Sequence, residues 1–166
     1  NVGVAKGNKF SVNITSPTNL ALTADKKNYE GTYSPTGGEA PLGTFKVTTN
    51  IGNIVQPGAQ DYRRIAIAAY PDNGITALDT QGNLAGSYAN PYSITIDNFS
   101  VGEVQQLVWG FKASVASTAS YRRINFRVYD MPDSANGALL LENVIGSGTC
   151  YVLCPGGDGK LPEITF

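Results

Sequence analysis

The chain reads as an all-β protein, a β-sandwich of about eight to ten strands with an internal pseudo-symmetric duplication. Three observations predict this. Apolar residues recur with period two along several stretches, while no window sustains a 3.6-residue period. Glycine and proline punctuate the chain every 8 to 15 residues or so, the spacing of short strands and turns. Third, Tyr62-Arg63-Arg64-Ile65 returns as Tyr121-Arg122-Arg123-Ile124, 59 positions later.

At that offset residues 28–70 align without a gap on residues 87–129, and ten positions are identical: Tyr29/Tyr88, Tyr33/Tyr92, Ser34/Ser93, Thr36/Thr95, Gly43/Gly102, the four of the Tyr-Arg-Arg-Ile motif, and Tyr70/Tyr129. Chance at ordinary composition gives roughly three. Eight of the nine tyrosines fall into these matched pairs. The organisation expected is one domain over 1–166, with an N-terminal extension (1–15), repeat A (28–86), repeat B (87–145) and a C-terminal turn and strand (146–166). A 166-residue chain buries a proper core, whereas one repeat of about 59 residues would be marginal alone.

In the extension, Val2, Val4, Phe10, Val12 and Ile14 fall on even positions with polar residues between, an extended strand with one apolar face. Pro17 ends it. Repeat A turns at Gly37-Gly38, resumes as a strand through Phe45 and Val47, and meets loop signals at Gly52, Pro57 and Gly58. From Tyr62 onward, Ile65, Ile67 and Ala69 share one face; Tyr62, Arg64, Ala66, Ala68 and Tyr70 share the other. Asp72-Asn73-Gly74 closes that strand as a turn. Repeat B gives Ile94 and Ile96, then Leu107, Trp109 and Phe111 as core, then Ile124, Phe126 and Val128 with Arg123, Asn125, Arg127 and Tyr129 on an opposite, wet face. A last apolar run, Leu139 to Ile145, precedes the cysteine tract.

The formal net charge is −1 with 15% charged residues, so the chain carries neither a nucleic-acid footprint nor a polybasic membrane patch. No apolar run is long enough to span a bilayer. The chain starts at Asn1 and its single methionine is Met131, so we expect a removed secretory leader and an extracellular, surface-assembled protein. In that setting Cys150 and Cys154 are expected to form a short disulfide; a redox or metal pair lacks the CxxC spacing. Asn13-Ile14-Thr15 and Asn98-Phe99-Ser100 are candidate glycosylation sites.

The chain has no histidine, which removes the commonest general base and the Ser-His-Asp and Cys-His arrangements. Thirteen acids could supply a carboxylate pair, but none is marked out by context, and we expect no enzyme. Asp72/Asn73 and Asp130/Asp133 suit turns as well as they suit calcium, so no metal or cofactor is expected. Tyr62 with Arg64, and Tyr121 with Arg123, form two candidate ledges that could stack sugars or grip carboxylates, or simply cover a sheet face through cross-strand pairs.

A β-sandwich with an alternating N-terminal strand outside its repeats resembles the donor-strand subunits of pili and fibres. The resemblance rests on residues 1–14 and the fold class. It implies a secreted structural subunit of a filament, polymerising head-to-tail as Phe10, Val12 and Ile14 enter a groove in the next copy. Its partner would be itself. The chain ends Glu163-Ile164-Thr165-Phe166 rather than in an alternating strand with a penultimate tyrosine, so the chaperone-usher route is not implied. Two further readings are a carbohydrate-binding or adhesin module for host or surface glycans, and a viral capsid or decoration protein.

Overall fold

The computed structural model describes residues 8–14, 44–113, 120–131 and 137–154. Nine strands are described: β1 (Phe10–Ile14), β2 (Thr44–Asn53), β3 (Tyr62–Pro71), β4 (Ile75–Leu78), β5 (Leu84–Gly86), β6 (Tyr92–Phe99), β7 (Val104–Ala113), β8 (Ser120–Asp130) and β9 (Val144–Cys154). They form two antiparallel sheets, in the orders β1-β2-β7-β4-β5 and β6-β3-β8-β9. The all-β sandwich is thus observed. No helix among the described residues is long and apolar enough to cross a membrane.

Strands 59 positions apart lie side by side. In one sheet β2 pairs with β7, placing Thr48 and Thr49 opposite Val108 and Leu107. In the other, β3 pairs with β8 so that Ala68 faces Arg127, the residue 59 positions further on. The boundary drawn at 145/146 falls inside β9.

The period-two pattern explains the core. Val47, Ile51, Ile65, Ile67, Ala69, Phe111, Ile124, Phe126 and Val128 are all fully buried between the sheets. Trp109 lies within this layer as expected, its ring 5.2 Å from that of Phe126, and its indole N–H donates to Thr49 Oγ1 at 2.8 Å. That bond answers the cost of burying both polar atoms. Buried Asn53 likewise donates from Nδ2 to the Gln60 carbonyl at 2.8 Å. Gly52, taken from the sequence as a loop signal, lies within β2, which runs through to Asn53.

Two expectations about faces are corrected. Tyr62 does not share the outer face with Arg64; it is buried in the core at 6% exposure. Both strands break their alternation at this point: β3 between Tyr62 and Ile65, and β6 at Asn98, whose φ is 57°. Tyr62 pairs with Phe99 and Arg64 with Asp97, so both Tyr62 and Ile65 point inward on either side of the interruption. Nor is the outer face of β3 and β8 wholly wet. Ala66, Ala68 and Tyr129 are buried there with Met131 and Val144, and Leu139 packs against them, a second small core outside the sheet.

Candidate functional site

Among the described residues, two places bring candidate functional side chains together. The first is the seat of β1. This edge strand pairs with β2 in the register Phe10↔Asn53 to Ile14↔Thr49, and it also lies against β9 of the opposite sheet, where Lys9 N–H donates to the Ile145 carbonyl at 2.7 Å. β1 therefore shuts one side of the sandwich. Phe10 is buried at 2% exposure, its ring edge-on to Phe99 at 5.1 Å and Tyr62 at 5.2 Å. Val12 and Ile14 pack half-buried on the same core.

Glycines in β9 make this closeness possible. A Cβ at Gly146 would lie 2.7 Å from the Phe10 carbonyl oxygen, and one at Gly148 would lie 2.9 Å from Val12. The expected inward phase of Phe10, Val12 and Ile14 is observed; Val2 and Val4 lie outside the described residues.

The second place is the outer face of β3 and β8. Tyr70 and Tyr129, a matched pair in the repeats, meet through a hydrogen bond between their hydroxyls above Ala68 and Arg127. Small Ala66 and Ala68 leave room for the two rings. The Arg127 guanidinium sits over the Tyr70 ring, 5.0 Å from its centroid, and the Tyr88 ring stands edge-on to Tyr70 at 5.9 Å. Burial, then the bond from Tyr129, pushes the Tyr70 phenol above the usual tyrosine range. The hydrogen bond with Tyr129 and the surrounding phenols hold the Arg127 guanidinium in its charged form more firmly than usual. The sequence signal that could have located this cluster was the coincidence of a repeated tyrosine with two alanines at i−2 and i−4.

The predicted ledge of Tyr62 and Arg64 does not form. Tyr62 is in the core, and Arg64 is paired with Asp97 at 2.7 Å. Arg123 is held by Asp72, whose Oδ2 accepts from the Arg123 backbone N–H at 2.8 Å and lies 3.4 Å from Nε. The Tyr121 side chain lies outside the described residues. Arg122 folds over the 72–74 turn and donates to the Asn73 carbonyl, leaving its Nε buried without a partner. Asn13 and Asn98 are both exposed.

The expected disulfide is also corrected. Cys150 is a free, buried thiol, and Cys154 lies four residues further along the same extended strand. Such a step separates the two Cα atoms by about 13 Å, beyond the roughly 7 Å that a disulfide can bridge. Burial pushes the Cys150 thiol up to about 11. Among the described residues no group of three or more acids and cysteines could hold a metal ion.

No family model matches the chain, and no curated protein matches it. A solved structure that resembles it is that of AvmM, which catalyses macrocyclization in alchivemycin A biosynthesis. The alignment covers 98% of this chain and 95% of that one, at 9% identity and a TM-score of 0.46. The expectation that the chain is not an enzyme is corrected to no statement either way, since a structure it resembles is that of an enzyme. At that identity and score the likeness assigns no reaction to this chain.

Proposed function

We propose that the chain is an extracellular structural subunit of a filament, and that copies join head-to-tail when β1 of one fills the seat beside β2 of the next. The observation that supports this reading is the seat of β1. It is an edge strand near the start of the chain, paired through its backbone to β2 alone within its sheet, and it caps a core that would otherwise open to water. The same bonds and the same apolar contacts serve a strand from its own chain or from a neighbour. Burial of a side chain such as Phe10 is worth about 1.5 to 3 kcal/mol, and backbone pairing adds to it. Residues 15–43 join β1 to β2, a length of chain whose fully extended reach is on the order of 100 Å, so its span does not tie β1 to its own β2.

Paired cysteines test which chain supplies the strand. Ser11 and Gly52 are directly opposed, and Ser11 Oγ lies 2.8 Å from where a Gly52 Cβ would stand, which suits a disulfide. In a Ser11→Cys/Gly52→Cys variant, exchange between copies gives a ladder of covalent multimers on non-reducing electrophoresis, with filaments in the electron microscope. Closure of each copy on itself gives a single cross-linked monomer, and that result at every concentration refutes the proposal.

A further inference from the structure

The Tyr-Arg cluster on the outer face has features that a purely structural role leaves unexplained. Arg64, Arg123 and Arg127 lie on the outer side of β3 and β8, beside exposed Arg63. Two of them are answered by acids, Arg64 by Asp97 and Arg123 by Asp72. The described neighbours of Arg127 are the phenols of Tyr70, Tyr88 and Tyr129. A guanidinium held over a ring keeps N–H donors in its plane, and these match a carboxylate in geometry and charge.

Tyr88 is the second feature. It is 53% exposed, yet it is held in place. The Ser87–Asn90 turn that carries it is closed by Ser87 N–H donating to the Asn90 carbonyl at 3.0 Å and by Asn90 N–H donating to Ser87 Oγ at 3.3 Å. An aromatic ring fixed in this way offers a face for the C–H surface of a pyranose without first losing entropy. The row across the sheet at this level runs Ser93, Ala68, Arg127, Ser147, and both serines are exposed. Aromatic face, a guanidinium bonded to phenols rather than to an acid, and a hydroxyl rim are the donor set for a charged sugar.

We propose that Tyr70, Tyr88 and Arg127 form a binding site for a carboxylated pyranose, with Arg127 gripping the carboxylate and Tyr88 stacking on the ring. The site lies on a different face from the β1 seat and stands whether or not the chain polymerises.

Saturation-transfer NMR and calorimetric titration of the full chain test this with four probes: N-acetylneuraminic acid, glucuronic acid, the methyl ester of glucuronic acid, and glucose. One or both acids should bind with about millimolar affinity, and which one binds separates a sialic acid from a hexuronate. If glucuronic acid binds, its ester should bind at least tenfold more weakly; glucose should show no saturation in either case. Arg127→Gln and Tyr88→Ala should each weaken acid binding tenfold or more. Tyr88 is exposed enough for its variant to fold, so that arm decides even if Arg127→Gln is unstable. Failure of both acids to bind, an ester that binds as well as its acid, or unchanged binding by Tyr88→Ala overturns the proposal.

Discussion

Gly146 is where the closure of the sandwich is most sensitive to a single methyl group. In Gly146→Ala the new Cβ would stand 2.7 Å from the Phe10 carbonyl oxygen and 2.9 Å from the Phe10 Cβ. These are backbone and first side-chain atoms that cannot rotate away, so β1 must move by a few tenths of an ångström or more. That shift loosens the Lys9-to-Ile145 bond of 2.7 Å and lifts the Phe10 ring from Phe99 and Tyr62. Overpacking of this kind costs about 1 to 3 kcal/mol, offset by the roughly 0.5 to 1 kcal/mol that alanine gains over glycine within a strand. The expected net loss is about 1 to 2 kcal/mol. Phe10→Ala removes the anchor of the same strand and should cost about 3 to 5 kcal/mol. With the anchor gone β1 yields easily, so Gly146→Ala in that background should cost less than about 0.5 kcal/mol. The four proteins of this double-mutant cycle, compared by urea unfolding, give the coupling directly. Equal costs of Gly146→Ala in both backgrounds, or a stabilising effect in the parent, would refute the claim that Gly146 acts through β1.

Thr49→Val should leave the Trp109 indole N–H buried without its acceptor and cost about 1 to 3 kcal/mol, read by denaturant unfolding followed through Trp109 fluorescence. Alkaline stability should reflect the phenols. Tyr62, Tyr70 and Tyr92 are all raised by burial, so their contribution is fully present below the unfolded tyrosine value near pH 10 and is lost as pH rises through the folded values. Tyr70→Phe should therefore flatten the fall of Tm above pH 10, and an unchanged pH profile would count against that account. In a Cys154→Ser background the Cys150 thiol, buried and raised to about 11, should resist thiol reagents at pH 8 until urea unfolds the chain. Rapid labelling of the folded protein would contradict its placement.

Much of the fold was legible because alternation is a property of the extended backbone itself. Phe10, Ile65, Ile67, Trp109 and Phe126 were assigned to the core from their phase alone, and the all-β class followed from the spacing of the breaks. The short strands β4 and β5 were not, since four and three residues are too few to show a period. Tyr62 departs from the simple alternation because β3 breaks step between Tyr62 and Ile65, beside the positive φ of Asn98 on β6. Arg64 and Arg123 looked available until Asp97 and Asp72 were found beside them. The cysteine spacing suggests a turn with a disulfide, but continuous pairing of β9 along β8 holds the backbone of the tract extended and keeps the two Cα atoms apart.

Composition, period and offset are local or self-referential properties, and a sequence carries them without folding. They determined the class, most of the inward faces and the duplication at an offset of 59 residues. Tertiary structure alone decided which edge β1 covers, that Gly146 and Gly148 let two sheets touch there, and that Tyr70, Tyr88, Tyr129 and Arg127 converge over Ala68. The reason is physical: pairing partners and ring contacts depend on distances between segments far apart in the chain, and no local pattern encodes those distances.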